Sequence, residues 1–541
     1  MISEHQYTAA GQPRVARGWR GMALLILLVA TPSLAQVPVK VVVNQELLVG
    51  ELREGIANFL AIPFAQPPVG DLRWRAPRPP IPRQGPQVAT EFARACMQTA
   101  YITEWYRDVV AAFDGDIADA PVPTSVSEDC LYLNIWSPDV ATQEKLPVMV
   151  FVHGGNNQGG WSYEPNYLGH NLASRGVVVV SISYRLGVFG FFAHPQLTAE
   201  SGTGSSGNYG LLDQISAFKW IGNNIATFGG DPNNITAIGE SAGGASVGQL
   251  MLSPLARGLF KNAIRQSGSY DMNYRDTLVR EEAFGSAFAD TLVVPSVKAL
   301  RKIPADSILA AAESFYHGST EDPQLNYFYA TMDGYVLPDY VEESYQSGSI
   351  NPANVLLGTN GDEKLMYAPR HVSGEIIDGL IAKYFKDDAG AEVRALLAHL
   401  PSRRLQYAEL MDAKQQSCTA QLQADAISNH DLGALYLYHF TRVRPGVGGE
   451  RLGAYHGAEL PYVFNTHDDW LSGDETDVAL TETVMGYWVN FAKTGSPNGA
   501  GLPEWPRYHA SARVALELGD AVRTIDAPRR ALCDLLKPPQ P

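Results

Sequence analysis

Four cysteines in 541 residues, none in a C-x-x-C pair, leave no zinc-ribbon or thioredoxin-type motif to read. No internal repeat, heptad run or low-complexity tract stands out, so solenoids, propellers and coiled coils fall away. Basic residues are in deficit: 41 Lys and Arg stand against 57 Asp and Glu, a formal net charge of −16. Phosphate backbones and anionic lipid repel such a surface, which argues against a nucleic-acid partner and leaves small molecules. Long hydrophobic runs are missing as well, and the apolar stretch at 22–30 is too short to span a bilayer comfortably. What remains is an ordinary globular composition, 45% hydrophobic with 50 Gly and 35 Pro, unlike a disordered or collagen-like chain.

Residues 1–35 read as a cleavable signal peptide, with 36–541 left as a single domain. Arg14, Arg17 and Arg20 form a basic start, the apolar stretch follows, and Ser33-Leu34-Ala35 offers small residues two apart for cleavage before Gln36. Uncleaved anchoring is the alternative reading; no cysteine follows the cleavage point to take a lipid. Cleavage removes three arginines and one glutamate, so the mature chain is more acidic still. The expectation is a secreted or periplasmic protein with no membrane insertion after signal cleavage. In an oxidising compartment the even set Cys96, Cys130, Cys418 and Cys533 reads as two disulfides in one of three connectivities. Free buried thiols are the other reading. Oligomeric state is not legible.

Short runs rich in Val and Ile alternate with longer mixed segments, the rhythm of a mostly parallel sheet flanked by helices in an α/β architecture. Strands are predicted over 148–152, 177–182, 235–238, 355–357 and 435–438, and helices over 209–223 and 242–252. Val177 to Val180 is unbroken valine, which fits a strand buried on both faces. Residues 97–126 and 277–335 break the rhythm and read as insertions above the sheet. Tyr101, Trp105 and Tyr106 in the first, with Tyr316, Tyr327, Phe328 and Tyr329 in the second, either line an apolar gorge or pack the insertions onto the core.

Gly239-Glu240-Ser241-Ala242-Gly243 follows the strand predicted at 235–238 and opens a helix of small residues. A G-x-S-x-G turn at such a junction bends the chain sharply at the serine, and its glycines let neighbouring backbone approach. The helix N-terminus favours developing negative charge, so Ser241 is the candidate nucleophile. Upstream, His153-Gly154-Gly155-Asn156 leaves the strand at 148–152 like a loop whose backbone N–H groups face an oxyanion. Gly155, Asn156 and Ala242 are the expected donors. His153 precedes the serine, against the serine–acid–histidine order that accompanies this turn, and reads as a loop-shaping residue. His456, followed by Gly457, is placed to be the base, because the glycine lets the imidazole approach. An acid is then expected after the strand at 355–357, where Asp362 and Glu363 both stand.

These motifs together resemble the type-B carboxylesterases, in the carboxylesterase/cholinesterase-like branch of the α/β-hydrolases. Ile62-Pro63-Phe64-Ala65 with Pro67-Pro68-Val69-Gly70 is similar to the family's opening. Ser127-Glu128-Asp129-Cys130-Leu131-Tyr132-Leu133-Asn134 matches its second signature. Tyr184-Arg185-Leu186-Gly187, Gly207-Asn208-Tyr209-Gly210-Leu211-Leu212-Asp213 and Phe228-Gly229-Gly230-Asp231-Pro232 follow in the family's order. The resemblance implies an α/β-hydrolase fold with insertions forming a cap or gorge over the active site. It implies a serine carboxylesterase working through an acyl-enzyme, with a small-molecule ester as partner and no metal or organic cofactor. It assigns the nucleophile to Ser241, the base to His456 and the acid to Glu363, with Asp362 as the alternative. Glu240 falls beside the nucleophile and Ser267 behind the site. Arg73 with Glu128, and Arg185 with Asp213, correspond to scaffold ion pairs, and the family's disulfide pairing is Cys96 to Cys130 and Cys418 to Cys533.

The chain departs from the pattern in four places. Asn156-Asn157 replaces a small residue and an aromatic, Lys364 replaces the glycine after Glu363, and Ser183 replaces an asparagine before Tyr184-Arg185. Ala120 stands near the place of the choline-binding tryptophan of cholinesterases. An ammonium group needs an aromatic face, which disfavours a choline ester. The expected substrates are uncharged esters with apolar acyl or alcohol parts. Amide, carbamate or bulky xenobiotic ester hydrolysis on the same triad is the alternative, and a non-catalytic binding protein on the same fold is a further one.

Overall fold

The computed structural model describes residues 37–269, 277–318 and 327–537; the signal-like segment 1–35 lies outside them. At one edge, β1 (Val37–Val43), β2 (Glu46–Arg53) and β3 (Ile56–Pro63) form an antiparallel meander, with short β4 (Gln87–Val88) beside β2. β5 (Ala95–Cys96) and β6 (Val126–Ser127) pair separately and bracket the first insertion. β7 (Tyr132–Ser137) joins β3 antiparallel. β8 (Leu146–Val152) and β9 (Val178–Ile182) then exchange places, so the sheet runs β7-β9-β8. From β9 and β8 it continues parallel through β10 (Gly230–Glu240), β11 (Asn262–Gln266), β12 (Asn354–Asn360), β13 (Leu435–Phe440) and β14 (Val514–Leu518). β15 (Val522–Asp526) closes the far edge antiparallel. The sheet is therefore parallel at its centre and antiparallel at both flanks. The predicted strands fall within β8, β9, β10, β12 and β13, apart from Val177, which immediately precedes β9.

Burial along these strands explains their composition. Val148, Val150 and Val152 of β8 enter one core, while Met149 and Phe151 enter the other. Val178, Val180 and Ile182 are likewise separated from Val177 and Val179. Helices cover both faces, so polar alternation has no place in these strands. The first insertion carries the helix Tyr101–Ala112, and the Cys96–Cys130 disulfide closes its base. The second carries the helices Leu278–Thr291 and Ala305–Gly318, whose Phe284, Phe288 and Phe315 cluster around Phe328 and Phe192. Cys418 is bonded to Cys533, tying the helix Arg530–Leu535 to the helix Cys418–Asn429.

Two ion pairs, one fully buried and one partly so, bind loops to this frame. Asp213, fully buried in the helix Tyr209–Asn224, accepts Arg185 Nε and Nη2 at 2.7 Å each and Arg185 N at 3.1 Å. Arg73 holds both oxygens of Glu128 at 2.6 Å in the same two-pronged way. Removing one partner of such a pair leaves the other charge buried and uncompensated. Asp213→Ala is expected to lower the unfolding free energy by about 3–5 kcal/mol, read from urea unfolding followed by tryptophan fluorescence. An unchanged urea midpoint would show that the pair does not hold the loop after β9.

Candidate active site

The loops after β8, β10, β12 and β13 all leave the C-terminal ends of parallel strands, the side on which open α/β sheets bind ligands. Ser241 follows β10 directly and precedes the helix Ala242–Leu252, with φ 54° and ψ −125°. That conformation is sparsely populated for a residue with a side chain and persists only where its surroundings hold it. Ser241 N donates to Gln266 O and Ala245 N donates to Ser241 O, both at 2.9 Å. The two motif glycines permit the approach: a Cβ on Gly243 would lie 2.0 Å from Val152 O, and one on Gly239 2.3 Å from the Gly243 carbonyl carbon.

His456 Nε2 lies 2.7 Å from Ser241 Oγ, and its Nδ1 lies 2.5 Å from Glu363 Oε2. Glu363 is fully buried, and its other oxygen accepts from Asn360 N at 2.7 Å. Burial pushes the Glu363 carboxyl up, but His456, Ser267 and the Asn360 amide together outweigh it and hold the group below its ordinary value. For His456, burial favours the neutral ring, while Glu240 and Glu363 favour the charged one and lift the pKa to about 9. Asp362 faces elsewhere: its Oδ2 accepts from Ala454 N at 2.9 Å and ties the loop after β12 to the histidine loop. Lys364 N donates to Asp412 Oδ1 at 2.7 Å, so the turn closes without the family's glycine. Ser267 is buried with φ 50° near Glu363, without a hydrogen bond of ordinary geometry from its hydroxyl.

A layer of buried acids lies around this relay. Glu240 Oε1 is 3.4 Å from His456 Nε2. Burial raises the Glu240 carboxyl to about 8, with a charged His456 pulling the other way. Glu459, three residues after His456, accepts from Gln266 Nε2 at 2.9 Å and from Asn360 Nδ2 at 2.6 Å. Glu164 accepts from Tyr106 OH at 2.8 Å and Trp161 N at 3.0 Å, and burial lifts it to about 7. The sequence reading missed Glu459 and Glu164, because nothing local marks a lone glutamate as buried. The nearness of Glu459 to His456 along the chain is the one signal that was present.

Among the described residues, the backbone N–H groups of Gly155, Asn156 and Ala242 have no hydrogen-bond partner in the protein. His153 is buried, stacks on Tyr184 at 4.4 Å and lies 2.9 Å from Gly154 O through Nδ1, which gives the loop its shape. Asn156 and Asn157 have φ of 56° and 54°. Asparagine tolerates that left-handed region better than most residues, so the backbone shape survives the departure from the family pattern. The aromatic residues divide. Tyr106 and Phe328 are buried packing residues, and Ala120 packs with Tyr106, Val110 and Trp161. Trp105 Nε1 donates to Tyr367 OH at 3.0 Å, and the Tyr367 ring is 6.3 Å from the His456 ring. Tyr101 is exposed, and the Tyr316 side chain lies outside the described residues.

The carboxylesterase family model matches residues 42–535. The chain belongs to the carboxylesterase family. It is 34% identical to fumonisin B1 esterase of Sphingopyxis macrogoltabida, covering 92% of this chain and 91% of that one. It is 33% identical to para-nitrobenzyl esterase of Bacillus subtilis, covering 87% and 93%. Among solved structures, a PNB esterase superposes with a TM-score of 0.79 at 30% identity, covering 92% of this chain and 99% of that one. A Geobacillus stearothermophilus carboxylesterase does so with a TM-score of 0.78 at 31% identity, covering 91% and 99%. The fold is that of the α/β-hydrolases, and the activity is carboxylic ester hydrolysis.

The electrostatics of this carboxylesterase set its pH response. Negative charge on Glu240 favours the imidazolium form of His456, so removing it lowers the histidine pKa. Glu240→Gln is expected to move the acid limb of the kcat/KM profile to lower pH by roughly one unit, raising relative activity between about pH 8 and 9, where Glu240 is charged and His456 still titrates. A limb that stays in place or moves up would show that Glu240 does not act on His456.

Proposed function

We propose that this carboxylesterase hydrolyses uncharged carboxylic esters through an acyl-enzyme on Ser241. The observation that carries the reading is the unbroken hydrogen-bonded relay from Glu363 through His456 to Ser241, ending at a serine held in a bend. His456 Nε2 takes the hydroxyl proton as Ser241 attacks the ester carbonyl. Glu363 holds Nδ1–H, keeping the imidazole in the required tautomer and stabilising its charged form. The free N–H groups of Gly155, Asn156 and Ala242 stabilise the oxyanion. His456 then protonates the leaving alcohol and activates water for deacylation. Glu240 acts through His456, and Ser267 supports Glu363. Trp105 and Tyr367, close to His456, offer aromatic surface to apolar substrate parts.

Export through a cleaved signal at 1–35 belongs to the same reading. Two disulfides suit an oxidising extracellular or periplasmic setting, and no described helix is long and apolar enough to cross a membrane. Protein recovered from outside the cytoplasm is expected to begin at Gln36 on N-terminal sequencing; a start at Met1 would contradict cleavage.

Catalysis is tested with p-nitrophenyl acetate, butyrate, octanoate and palmitate, following nitrophenol release by wild type and Ser241→Ala. The variant should lose on the order of 10⁴–10⁶ in turnover, with the disulfides and thermal unfolding unchanged. Equal rates in both proteins would refute the acyl-enzyme mechanism. Preference for matched nitrophenyl amides or carbamates would instead favour the amidase reading.

A further inference from the structure

Segment 327–331 of the second insertion runs against the oxyanion loop and is fastened there at several points. Tyr329 OH donates to Asn156 Oδ1 at 3.1 Å, and Gln158 Nε2 donates to Phe328 O at 3.3 Å. Asn208 exchanges two bonds with the Thr331 backbone, at 2.7 and 2.9 Å. Phe328 sits buried among Phe192, Phe284 and Phe288, so the phenol of its neighbour Tyr329 is carried on a rigid cluster. At φ 56° the Asn156 main chain is one that glycine would serve, which makes its side chain an addition with its own consequence. Tyr329 occupies the side-chain carbonyl oxygen, while the amide Nδ2 makes no hydrogen bond among the described residues. This side chain leaves from the Cα bonded to the nitrogen assigned to the oxyanion, so it borders the acyl group of an ester seated there.

We propose that Asn156, oriented by Tyr329, is a specificity-determining residue that donates an amide hydrogen bond to an oxygen on the acyl chain. Esters of alkoxy- and hydroxyacyl groups are thereby favoured over alkyl esters of the same length. The inference rests on acyl transfer at Ser241. An amide N–H facing an alkyl chain gives up its bond to water and gains nothing, whereas an ether or hydroxyl oxygen restores the bond. Sites built around a polar group discriminate by leaving that group unpaired with the wrong substrate.

The test compares p-nitrophenyl methoxyacetate with p-nitrophenyl butyrate, whose acyl chains differ only in one CH₂ replaced by O. The ratio of their kcat/KM values is measured for wild type, Asn156→Gly, Tyr329→Phe and a Ser241→Ala control. Intrinsic reactivity and the fraction of active enzyme cancel when these ratios are compared between proteins. Asn156→Gly should lower the methoxyacetate-to-butyrate ratio about five- to tenfold. Tyr329→Phe, which frees the amide to rotate, should lower it about two- to threefold. A ratio that rises or stays the same in Asn156→Gly overturns the proposal, because an amide serving only the oxyanion would slow both esters together. A fall in Asn156→Gly with no change in Tyr329→Phe overturns the orienting role of Tyr329. Wild-type hydrolysis equal to that of Ser241→Ala for both esters would refute the acyl-transfer reading itself, an outcome distinct from an unchanged ratio.

Discussion

Ser241 is held in a left-handed bend that a free chain would leave, and the neighbouring backbone is what prevents it from doing so. Strain of this kind amounts to about 1–3 kcal/mol, and it is offset by contacts that only close packing allows. Gln266 O and Ala245 N hold the serine main chain, while Gly243 and Gly239 let Val152 and the following helix turn approach. The same constraint sets the order of the sheet around the site. β8 and β11 must both lie beside β10, because one brings the loop that starts at His153 and the other brings Gln266.

A second layer of organisation is electrostatic. Glu363, Glu240, Glu459 and Glu164 are buried, yet they differ in what holds them. Glu363 has His456 and a backbone amide, and its carboxyl falls below the ordinary range. Glu240 and Glu164 are dominated by burial and move up. Environments that push carboxylates in opposite directions let one fold keep an acid below the ordinary range beside others above it. The amide bonds of Gln266 and Asn360 to Glu459 place a further acid next to the histidine loop without exposing it to water.

The insertions do more than cover the sheet. Phe284, Phe288, Phe315 and Phe328 make the second insertion continuous with the core, and segment 327–331 meets the loop of Asn156 and Gln158 there. In the first insertion, Tyr106 and Val110 serve packing, while Trp105 reaches Tyr367 near His456. Core packing and a contact near the histidine are therefore shared within one helix, residue by residue.

Much of the fold was legible because its signals are local. Valine runs marked the buried strands, and a serine between glycines at a strand end marked the bend. Motif order pointed to Ser241, His456 and the acidic pair Asp362-Glu363. The choice between those two carboxylates could not come from residue type, since both are acids at a strand end. It came from where β12 stops, which turns Glu363 toward His456 and Asp362 toward Ala454. The burial of Glu459 and Glu164, and the Asn156–Tyr329 contact across 173 residues, were not legible for the same reason: they are properties of the assembled chain. The sequence alone determined the family, the strand and helix rhythm and the candidates Ser241, His456 and Asp362-Glu363, because periodicity and motif spacing act within a few residues. Only the tertiary structure decided which acid meets the histidine, which acids burial pushes up and which aromatics lie near the histidine ring, because those depend on distance and desolvation.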